Sequence, residues 1–212
     1  MTTEAAGEAP ARRRNARGQG RRLREELIDA AGALIAESGD ASTLSIRQVG
    51  ARAGVAATSV YLHFTDLDQL KLAVARRGLA EFGRLRQAAV AGAGTAAEAL
   101  IAGSVAYVRF AADNPGLYRL MFGGTLAPAL NAWGADPEDA GDGSAYAGLV
   151  QAIGRCQRDG AASADANPAY LAGLLWPALH GIATLRIDRP TLPLPPVEDV
   201  VPETVRRLIR FR

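Results

Sequence analysis

The residues of this chain that could take part in covalent or acid–base chemistry are few. Ser59 and His63 lie on one predicted helix, and Ser104 and Ser144 each follow a glycine. The chain has no G-x-S-x-G segment, and its 2 histidines leave hardly any general base for a nucleophile. The sequence therefore predicts that the protein is not an enzyme.

Metal coordination has little support either. His63, Cys156 and His180 lack the spacing of a metal site, and the carboxylates cluster only at 136–142, in a loop rich in Gly, Pro and Asp. We therefore expect neither a metal nor a cofactor.

A single cysteine cannot form an internal disulfide and fits a reducing, cytoplasmic setting. No segment has the roughly 20 clean apolar residues of a membrane span, so no membrane is expected among the partners.

The segment LSIRQVGARAGVAATSVYLHF, at 44–64, has a pattern suited to DNA binding. It predicts two short helices on either side of Gly54, the first opened by a Ser45–Gln48 capping box and the second running from about Ala57 to His63. Short side chains at the start of the second helix would let it enter a major groove about 12 Å wide, while polar tips at its end reach phosphate oxygens. The predicted DNA contacts are Arg22, Ser45, Arg47, Ala57, Thr58, Ser59, Tyr61, Leu62, His63 and Lys71.

At these residues the chain resembles the TetR family of bacterial transcriptional regulators. The resemblance covers about 21–82, where AGV, VYLHF and the later Leu70 have the family's spacing. It implies an all-helical homodimer with an N-terminal DNA-binding domain and a C-terminal ligand-binding domain. Two positions depart from the pattern: Ala56 replaces a capping Ser or Thr, and Leu67 replaces a phosphate-binding Lys. Lys71, one turn later, is the candidate substitute.

An arginine-rich segment precedes the first predicted helix. Residues 1–20 lack hydrophobic periodicity and are predicted to form a disordered arm. On charge alone, a polyanion-binding arm and a solvated tail are equally consistent with this composition. We hypothesise that the arm reaches a minor groove and compensates for the departures at Ala56 and Leu67. The arginines concerned have no acidic residue between them and are Arg12, Arg13, Arg14, Arg17, Arg21, Arg22 and Arg24.

The fold class predicted for the whole chain is all-α. Hydrophobic spacing predicts a helix at 21–38, and an Asp66 cap opens a long helix that ends at about 89. A run of small residues at 88–96 separates a DNA-binding domain, 21–87, from a larger C-terminal domain, 96–212. Within the second domain, helices are predicted at about 96–112, 115–122, 126–132, 144–159, 168–187 and 199–211.

The C-terminal domain is predicted to bind a small-molecule effector. The segments NPGLYRLMFGG and LLWPALHGIATL resemble the WHG subgroup of TetR C-terminal domains, with Trp176, His180 and Gly181 at the named positions. Aromatic and Met side chains with few charges suit an apolar pocket, and they equally fit a plain core. Arg109, Arg119 and His180 are candidates to orient a polar group of the effector. The predicted ligand-binding residues are Tyr107, Phe110, Tyr118, Met121, Phe122, Trp133, Trp176 and His180.

Together these features predict a ligand-responsive repressor that binds a palindromic operator on double-stranded DNA as a homodimer and is released by a small, largely apolar molecule. The alternative is a helical ligand- or protein-binding module whose DNA binding has degenerated, as the substitutions at Ala56 and Leu67 would suggest. The expected dimer interface comprises the helices at 144–159 and 168–187. Residues there small enough for close helix approach are Gly148, Ala152, Ala172, Gly173 and Gly181.

Overall fold

A computed structural model describes residues 19–123, 126 and 145–212, and this part of the chain folds as helices joined by turns. The all-α fold class is therefore confirmed. Helix ends lie within a few residues of the predicted ones, and Pro177 does not interrupt its helix. The elements are α1 Gln19–Ser38, a 3-10 turn Ala41–Thr43, α2 Ile46–Arg52, α3 Ala57–Val60, α4 Leu67–Val90, α5 Ala96–Asp113, α6 Pro115–Phe122, α7 Ala145–Arg158, α8 Pro168–Asp188 and α9 Val197–Ile209.

Two predictions meet the limits of the described residues. The helix expected at 126–132 lies outside them except for Leu126, which is buried in a turn. The arm expected at 1–20 lies outside them up to residue 18. Gln19 and Gly20 already belong to α1, so the helix begins before the predicted boundary.

Side-chain caps fix where helices begin, and one predicted cap differs in detail. At the start of α2, the Gln48 backbone N–H donates to Ser45 Oγ at 3.3 Å, as expected. The Gln48 side chain, however, accepts from the Ser45 hydroxyl at 2.7 Å, so it does not return a bond to the Ser45 backbone. A complete capping box instead opens α5, where Thr95 and Glu98 bond reciprocally.

Helix α4 packs against both parts of the molecule and joins them. In its N-terminal half, buried Val74 approaches Gly32 of α1. In its C-terminal half, the Phe82 ring lies 5.7 Å from the Tyr107 ring and 5.4 Å from the Phe110 ring of α5. The two halves of α4 therefore belong to one continuous hydrophobic core.

Two glycines allow α6 to pack closely against α1 and α4. A Cβ at Gly116 would lie 2.6 Å from the Ile35 carbonyl oxygen of α1. A Cβ at Gly78 of α4 would lie 2.8 Å from a Leu117 methyl carbon and 2.9 Å from the Met121 sulfur. Since side chains at these positions would overlap their neighbours, glycine is needed for this separation.

Salt bridges on the surface tie α1 to its neighbours. Arg77 of α4 pairs with both Glu25 and Asp29 of α1. Arg52, at the end of α2, pairs through both guanidinium nitrogens with Glu37 of α1, at 2.8 and 2.6 Å. Exposed pairs of this kind contribute little to stability, because water screens the two charges.

Helix α7 buries the only cysteine of the chain. Cys156 is fully buried and unpaired, and its burial raises the pKa of the thiol. The thiol is therefore protonated and shielded near neutral pH.

Among the described helices, none is long and apolar enough to cross a membrane.

Candidate DNA-binding surface and effector cleft

Helices α2 and α3 form a helix-turn-helix with a very tight turn. Gly54 adopts φ +70°, a left-handed conformation that favours glycine. The Val55 N–H donates to the Gly50 carbonyl at 2.9 Å, which closes the turn. A Cβ at Gly50 would lie 2.9 Å from the Val55 carbonyl oxygen. The sequence thus places one glycine where the turn needs a left-handed backbone and another where the turn has no room for a side chain.

The segment from α3 to Phe64 has one buried face and one exposed face. Val60 and Phe64 are buried as predicted, and the Arg24 guanidinium of α1 lies 5.1 Å from the Phe64 ring centroid. Tyr61 and Leu62 point away from this core, with 57% and 80% of their surface exposed. The α-helix itself ends at Val60, earlier than predicted, and hydrogen-bonded turns continue to Phe64.

A mainly apolar cleft lies between α4, α5, α7 and α8. It encloses about 540 Å³ of empty space, which includes some space open to solvent. Its apolar lining comes from residues on all four helices, namely Phe82, Val90, Ala99, Leu100, Gly103, Ala145, Gly148, Leu149, Ala152, Trp176 and Leu179.

The polar lining of the cleft includes two arginines that the sequence interpretation missed. Arg86 comes from α4 and Arg155 from α7, and Ser104 and Tyr107 of α5 complete the polar lining. A Cβ at Gly103 would lie 3.6 Å from the Arg86 side chain, so the arginine stem crosses α5 at a glycine. Arg86 follows Phe82 by one helical turn, so the two lie on the same face of α4. This spacing could have indicated from the sequence that Arg86 lines the cleft beside Phe82.

A hydrogen-bonded aromatic cluster adjoins the cleft at Tyr107. The Tyr118 hydroxyl lies 2.6 Å from His180 Nδ1 and 2.8 Å from the Tyr107 hydroxyl, which is itself 3.2 Å from Nδ1. Burial raises the pKa of both tyrosines and lowers the pKa of His180. Both hydroxyls therefore keep their protons, and the neutral ring accepts a hydrogen bond at Nδ1. The Phe122 and Trp176 rings pack around this group.

Comparison with known proteins identifies the family. Residues 27–74 match the family described as "Bacterial regulatory proteins, tetR family", and residues 100–210 match the "Tetracyclin repressor-like, C-terminal domain". The chain belongs to the TetR family. Members are DNA-binding transcription regulators rather than enzymes, and they bind small molecules through the C-terminal domain. The match does not name the WHG subgroup, so the assignment of Trp176, His180 and Gly181 to that motif stays a prediction.

Solved structures similar to this TetR-family chain span nearly its full length. A protein of unknown function from Rhodococcus sp. RHA1 is 28% identical, with a TM-score of 0.71 over 89% of this chain and 94% of that one. The fatty acid degradation regulator FadR from Bacillus halodurans is 17% identical, with a TM-score of 0.69 over 89% and 97%. SmeT, the repressor of the Stenotrophomonas maltophilia multidrug efflux pump SmeDEF, is 19% identical, with a TM-score of 0.63 over 89% of each chain. The last two likenesses show the fold alone.

The predicted DNA-contact residues of this TetR-family protein lie on or beside the helix-turn-helix, and their contact with DNA stays a prediction. Arg22 also donates to Glu26 at 2.7 Å. Exposed members are Arg22, Arg47, Thr58, Tyr61 and Leu62, and partly buried members are Ser45, Ala57, Ser59, His63 and Lys71.

The two departures from the family pattern have visible consequences. Ala56 forms no side-chain cap, so the first turn of α3 lacks that hydrogen bond. Lys71 is a poor substitute for a lysine at position 67, because only 15% of its side chain is exposed and its ammonium lies 3.8 Å from Asp68. Leu67 packs against the core instead of facing solvent fully.

The predicted ligand-binding residues fall into three places. Tyr107 and Trp176 line the cleft. Tyr118, Phe122 and His180 belong to the aromatic cluster beside it, and Phe110 and Met121 are buried in the core. Trp133 lies outside the described residues.

The two arginines predicted to orient a ligand do not face the cleft. Arg109 pairs with Glu198 at 2.6 Å, and Arg119 pairs with Asp188 at 2.5 Å, both on the surface. Arg86 and Arg155 take their place in the cleft lining. Among the described residues, no group of His, Cys, Asp or Glu could hold a metal ion.

Proposed function

We propose that this TetR-family protein is a repressor that binds a palindromic operator as a homodimer and leaves it when a small, largely apolar effector enters the cleft. Helix α4 is the observation that carries this proposal. It begins next to the segment from α3 to Phe64, called here the recognition segment, where Asp66 accepts the Gln69 N–H at 2.7 Å. Its other end contributes Phe82, Arg86 and Val90 to the cleft.

The length of α4 makes it a suitable connection between effector and DNA. At about 1.5 Å per residue, its 24 residues span about 36 Å. Both ends are packed, so an effector that displaces one end also displaces the helix-turn-helix at the other. An effector achieves this only if it binds the DNA-competent and DNA-released states with unequal affinity.

An exposed apolar stripe on α8 supports the homodimer. Tyr170, Leu174 and Leu185 are 64%, 41% and 45% exposed. With Pro177 and Gly181 they recur every three or four residues, so they share one helix face. Contiguous exposed apolar surface is typical of protein interfaces. A dimer formed through this face would present two helix-turn-helix motifs to half-sites about 34–36 Å apart or a multiple of that distance.

The expected small-residue interface needs revision in part. Ala172 is fully buried within its own protomer, and Gly148 and Ala152 line the cleft, so these three face inward. Gly173 is exposed and Gly181 partly exposed, and both remain candidates for close approach between subunits.

At the operator, different residues of the recognition segment are suited to base contacts and to phosphate contacts. Thr58 and Ser59 are short enough to approach base edges in the major groove, and the exposed hydroxyl of Tyr61 can reach a phosphate. His63, at the same end, is a second candidate for a phosphate contact. The arginines before α1 add the electrostatic contribution that the covered Lys71 does not provide.

The first test is fluorescence anisotropy of the full chain with the intergenic DNA upstream of its own gene. Binding is measured at two salt concentrations and against scrambled DNA of equal length. We expect tight binding to the native fragment that weakens steeply with salt, because bound phosphates release their counterions. Genome-wide selection of bound fragments finds the operator if it lies elsewhere.

The competing function, a binding module without DNA activity, gives a different result. The missing cap at Ala56 and the covered Lys71 are the observations that favour it. It predicts weak, equal binding to native and scrambled DNA and no enriched fragment in the genome-wide selection. That pair of results would overturn the repressor proposal.

A further inference from the structure

Ser104 places a buried hydroxyl in the wall of the cleft. The residue is only 4% exposed and lines the cleft from α5. Most of the other described lining residues are aliphatic, aromatic or glycine. Of the two lining arginines, Arg86 already has an interaction within the protein, and Arg155 is exposed to water. A bound molecule therefore meets Ser104 as a buried polar group within a mainly apolar surface.

The Ser104 hydroxyl has already used its only hydrogen. It donates to the Leu100 carbonyl at 2.8 Å, one turn earlier in α5. A serine oxygen also has two lone pairs that can accept hydrogen bonds. In the described part of the chain, this bond to Leu100 is the one hydrogen bond that the Ser104 side chain makes. Ser104 therefore offers a ligand an acceptor and no donor.

Tyr107, the next polar residue of the lining, is held by the aromatic cluster. Its hydroxyl lies 2.8 Å from the Tyr118 hydroxyl and 3.2 Å from His180 Nδ1. Its ring lies 5.2 Å from the ring of Trp176, which also lines the cleft. Because Ser104 precedes Tyr107 by three residues, the two share one face of α5. The free acceptor of Ser104 is therefore flanked by aromatic rings.

We infer that the effector is an uncharged molecule with an apolar body and a hydroxyl group, whose O–H donates to Ser104 Oγ. A hydroxyl that leaves water needs a hydrogen-bond partner, and the lone pairs of Ser104 supply one. A carboxylate has no hydrogen to donate to this oxygen. An ammonium group would have to leave water with no Asp or Glu among the described lining residues. This inference rests on the proposed function, because it names the ligand class of the same cleft.

Four probes that share one apolar body test the inference. The probes are para-ethylphenol, para-ethylfluorobenzene, para-ethylanisole and para-ethylbenzoate, each titrated into the full-length protein, without DNA, by isothermal calorimetry. At pH 7 the phenol keeps its proton, because phenolic groups have a pKa of about 10. We expect the phenol to bind about fivefold more tightly than each of the other three, since a neutral hydrogen bond adds about that factor. A cleft that offered only apolar surface would favour the fluoro compound over the phenol, because the phenol gives up hydrogen bonds to water.

Matched variants locate the source of this preference. Ser104→Ala removes the acceptor and is expected to weaken the phenol about fivefold while leaving the fluoro compound unchanged. Thr204 of α9 makes the same kind of bond, from its hydroxyl to the Val200 carbonyl at 2.7 Å, and lies outside the described lining. Thr204→Val is therefore the control and is expected to keep the wild-type preference. Equal melting temperatures with and without each substitution establish that the variants are folded.

The outcomes separate this inference from the proposed function. Failure of the phenol to bind, binding of any other probe as tightly as the phenol, or a wild-type preference in Ser104→Ala overturns the inference. Release of operator DNA by the fluoro compound or the benzoate but not by the phenol keeps the repressor proposal and overturns the inference. Selective binding of the phenol by a protein without DNA affinity supports the hydroxyl-binding cleft and overturns only the repressor proposal.

Discussion

Tyr61 and Phe64 lie three residues apart at the end of the recognition segment, in opposite environments. Phe64 is 1% exposed and packs beneath the Arg24 guanidinium, whereas Tyr61 is 57% exposed. The buried ring fixes the segment on the protein, and the exposed ring extends a hydroxyl toward solvent. At this scale, the hydroxyl oxygen and the exposure of Tyr61 distinguish this proposed DNA contact from the packing residue Phe64.

Replacing Tyr61 with Phe removes that oxygen and little else. We expect Tyr61→Phe to weaken DNA binding about tenfold, since a hydrogen bond to a charged group contributes about 1.5 kcal/mol. The loss should be similar for operator and scrambled DNA, because phosphate contacts carry no sequence information. Anisotropy titrations measure both affinities. An unchanged affinity in Tyr61→Phe would rule out the phosphate contact.

His180 makes stability depend on pH in a defined direction. Burial lowers its pKa below the ordinary 6.5, and the facing Tyr107 and Tyr118 hydroxyls suit a neutral ring. As pH falls below about 6.5, the unfolded chain binds a proton that the native state resists, so stability decreases. We expect the melting temperature to fall between about pH 7.5 and 5.5, and to fall less in His180→Gln.

The second histidine supplies the comparison for this effect. His63→Gln is expected to retain the full decrease of the wild-type melting temperature, because His63 is not part of the hydrogen-bonded cluster. A decrease in His180→Gln as steep as that of the wild type would show that other groups cause the pH dependence.

Among the elements, α6 packs against α1 with no room for a side chain at Gly116. A Cβ at Gly116 would meet the Ile35 carbonyl oxygen at 2.6 Å and the Gly39 backbone at 3.0 Å, and backbone atoms cannot step aside cheaply. We expect Gly116→Ala to destabilise the fold by about 1–3 kcal/mol, the usual cost of overpacking. Urea denaturation measures this difference.

Gly83 provides a matched control within α4. A Cβ there would meet nothing within 4 Å, and the residue lies in a helix interior. Gly83→Ala is therefore expected to stabilise the protein, by up to about 1 kcal/mol, through helix propensity alone. Equal effects of the two substitutions would contradict the proposed contact between α6 and α1.

The elements were largely predictable from sequence, whereas their mutual arrangement at the cleft was not. Local signals such as the Asp66 cap and the spacing of Val60 and Phe64 located α4 and the recognition segment, because both depend on residues within one or two helical turns. Arg86 and Arg155 were not predicted, because they line one cleft only when α4 and α7 pack beside α5. Arg109 has the same chemistry but faces away, and side-chain direction between helices cannot be derived from spacing within one helix.

At the scale of the whole molecule, the apolar stripe on α8 is the proposed dimer interface, through which two helix-turn-helix motifs would be brought to the same DNA. We expect Leu174→Asp to convert a dimer to a monomer, because a carboxylate would have to be buried at the centre of the interface. Operator affinity should then fall by about 100-fold or more, since the second half-site no longer binds in the same complex. Light scattering with size-exclusion chromatography and anisotropy measure the two effects.

An exposed leucine elsewhere tests whether the position matters. Leu192, between α8 and α9, is 45% exposed against 41% for Leu174, yet it lies off the stripe. Leu192→Asp is expected to remain dimeric with unchanged operator affinity. A dimeric Leu174→Asp variant would place the interface on another surface.

The buried thiol of Cys156 makes local displacement of α7 measurable by chemical labelling. The thiol reacts with an external reagent only while α7 is locally displaced, so the labelling rate reports how often that displacement occurs. The neighbouring Ala152 and Arg155 line the cleft, so an occupied cleft holds the same helix in place. An effector at 100 times its Kd should slow labelling by about 100-fold if it binds only the closed form. The labelling rate of the Cys156 thiol thus measures effector affinity without DNA and without any added probe on the ligand.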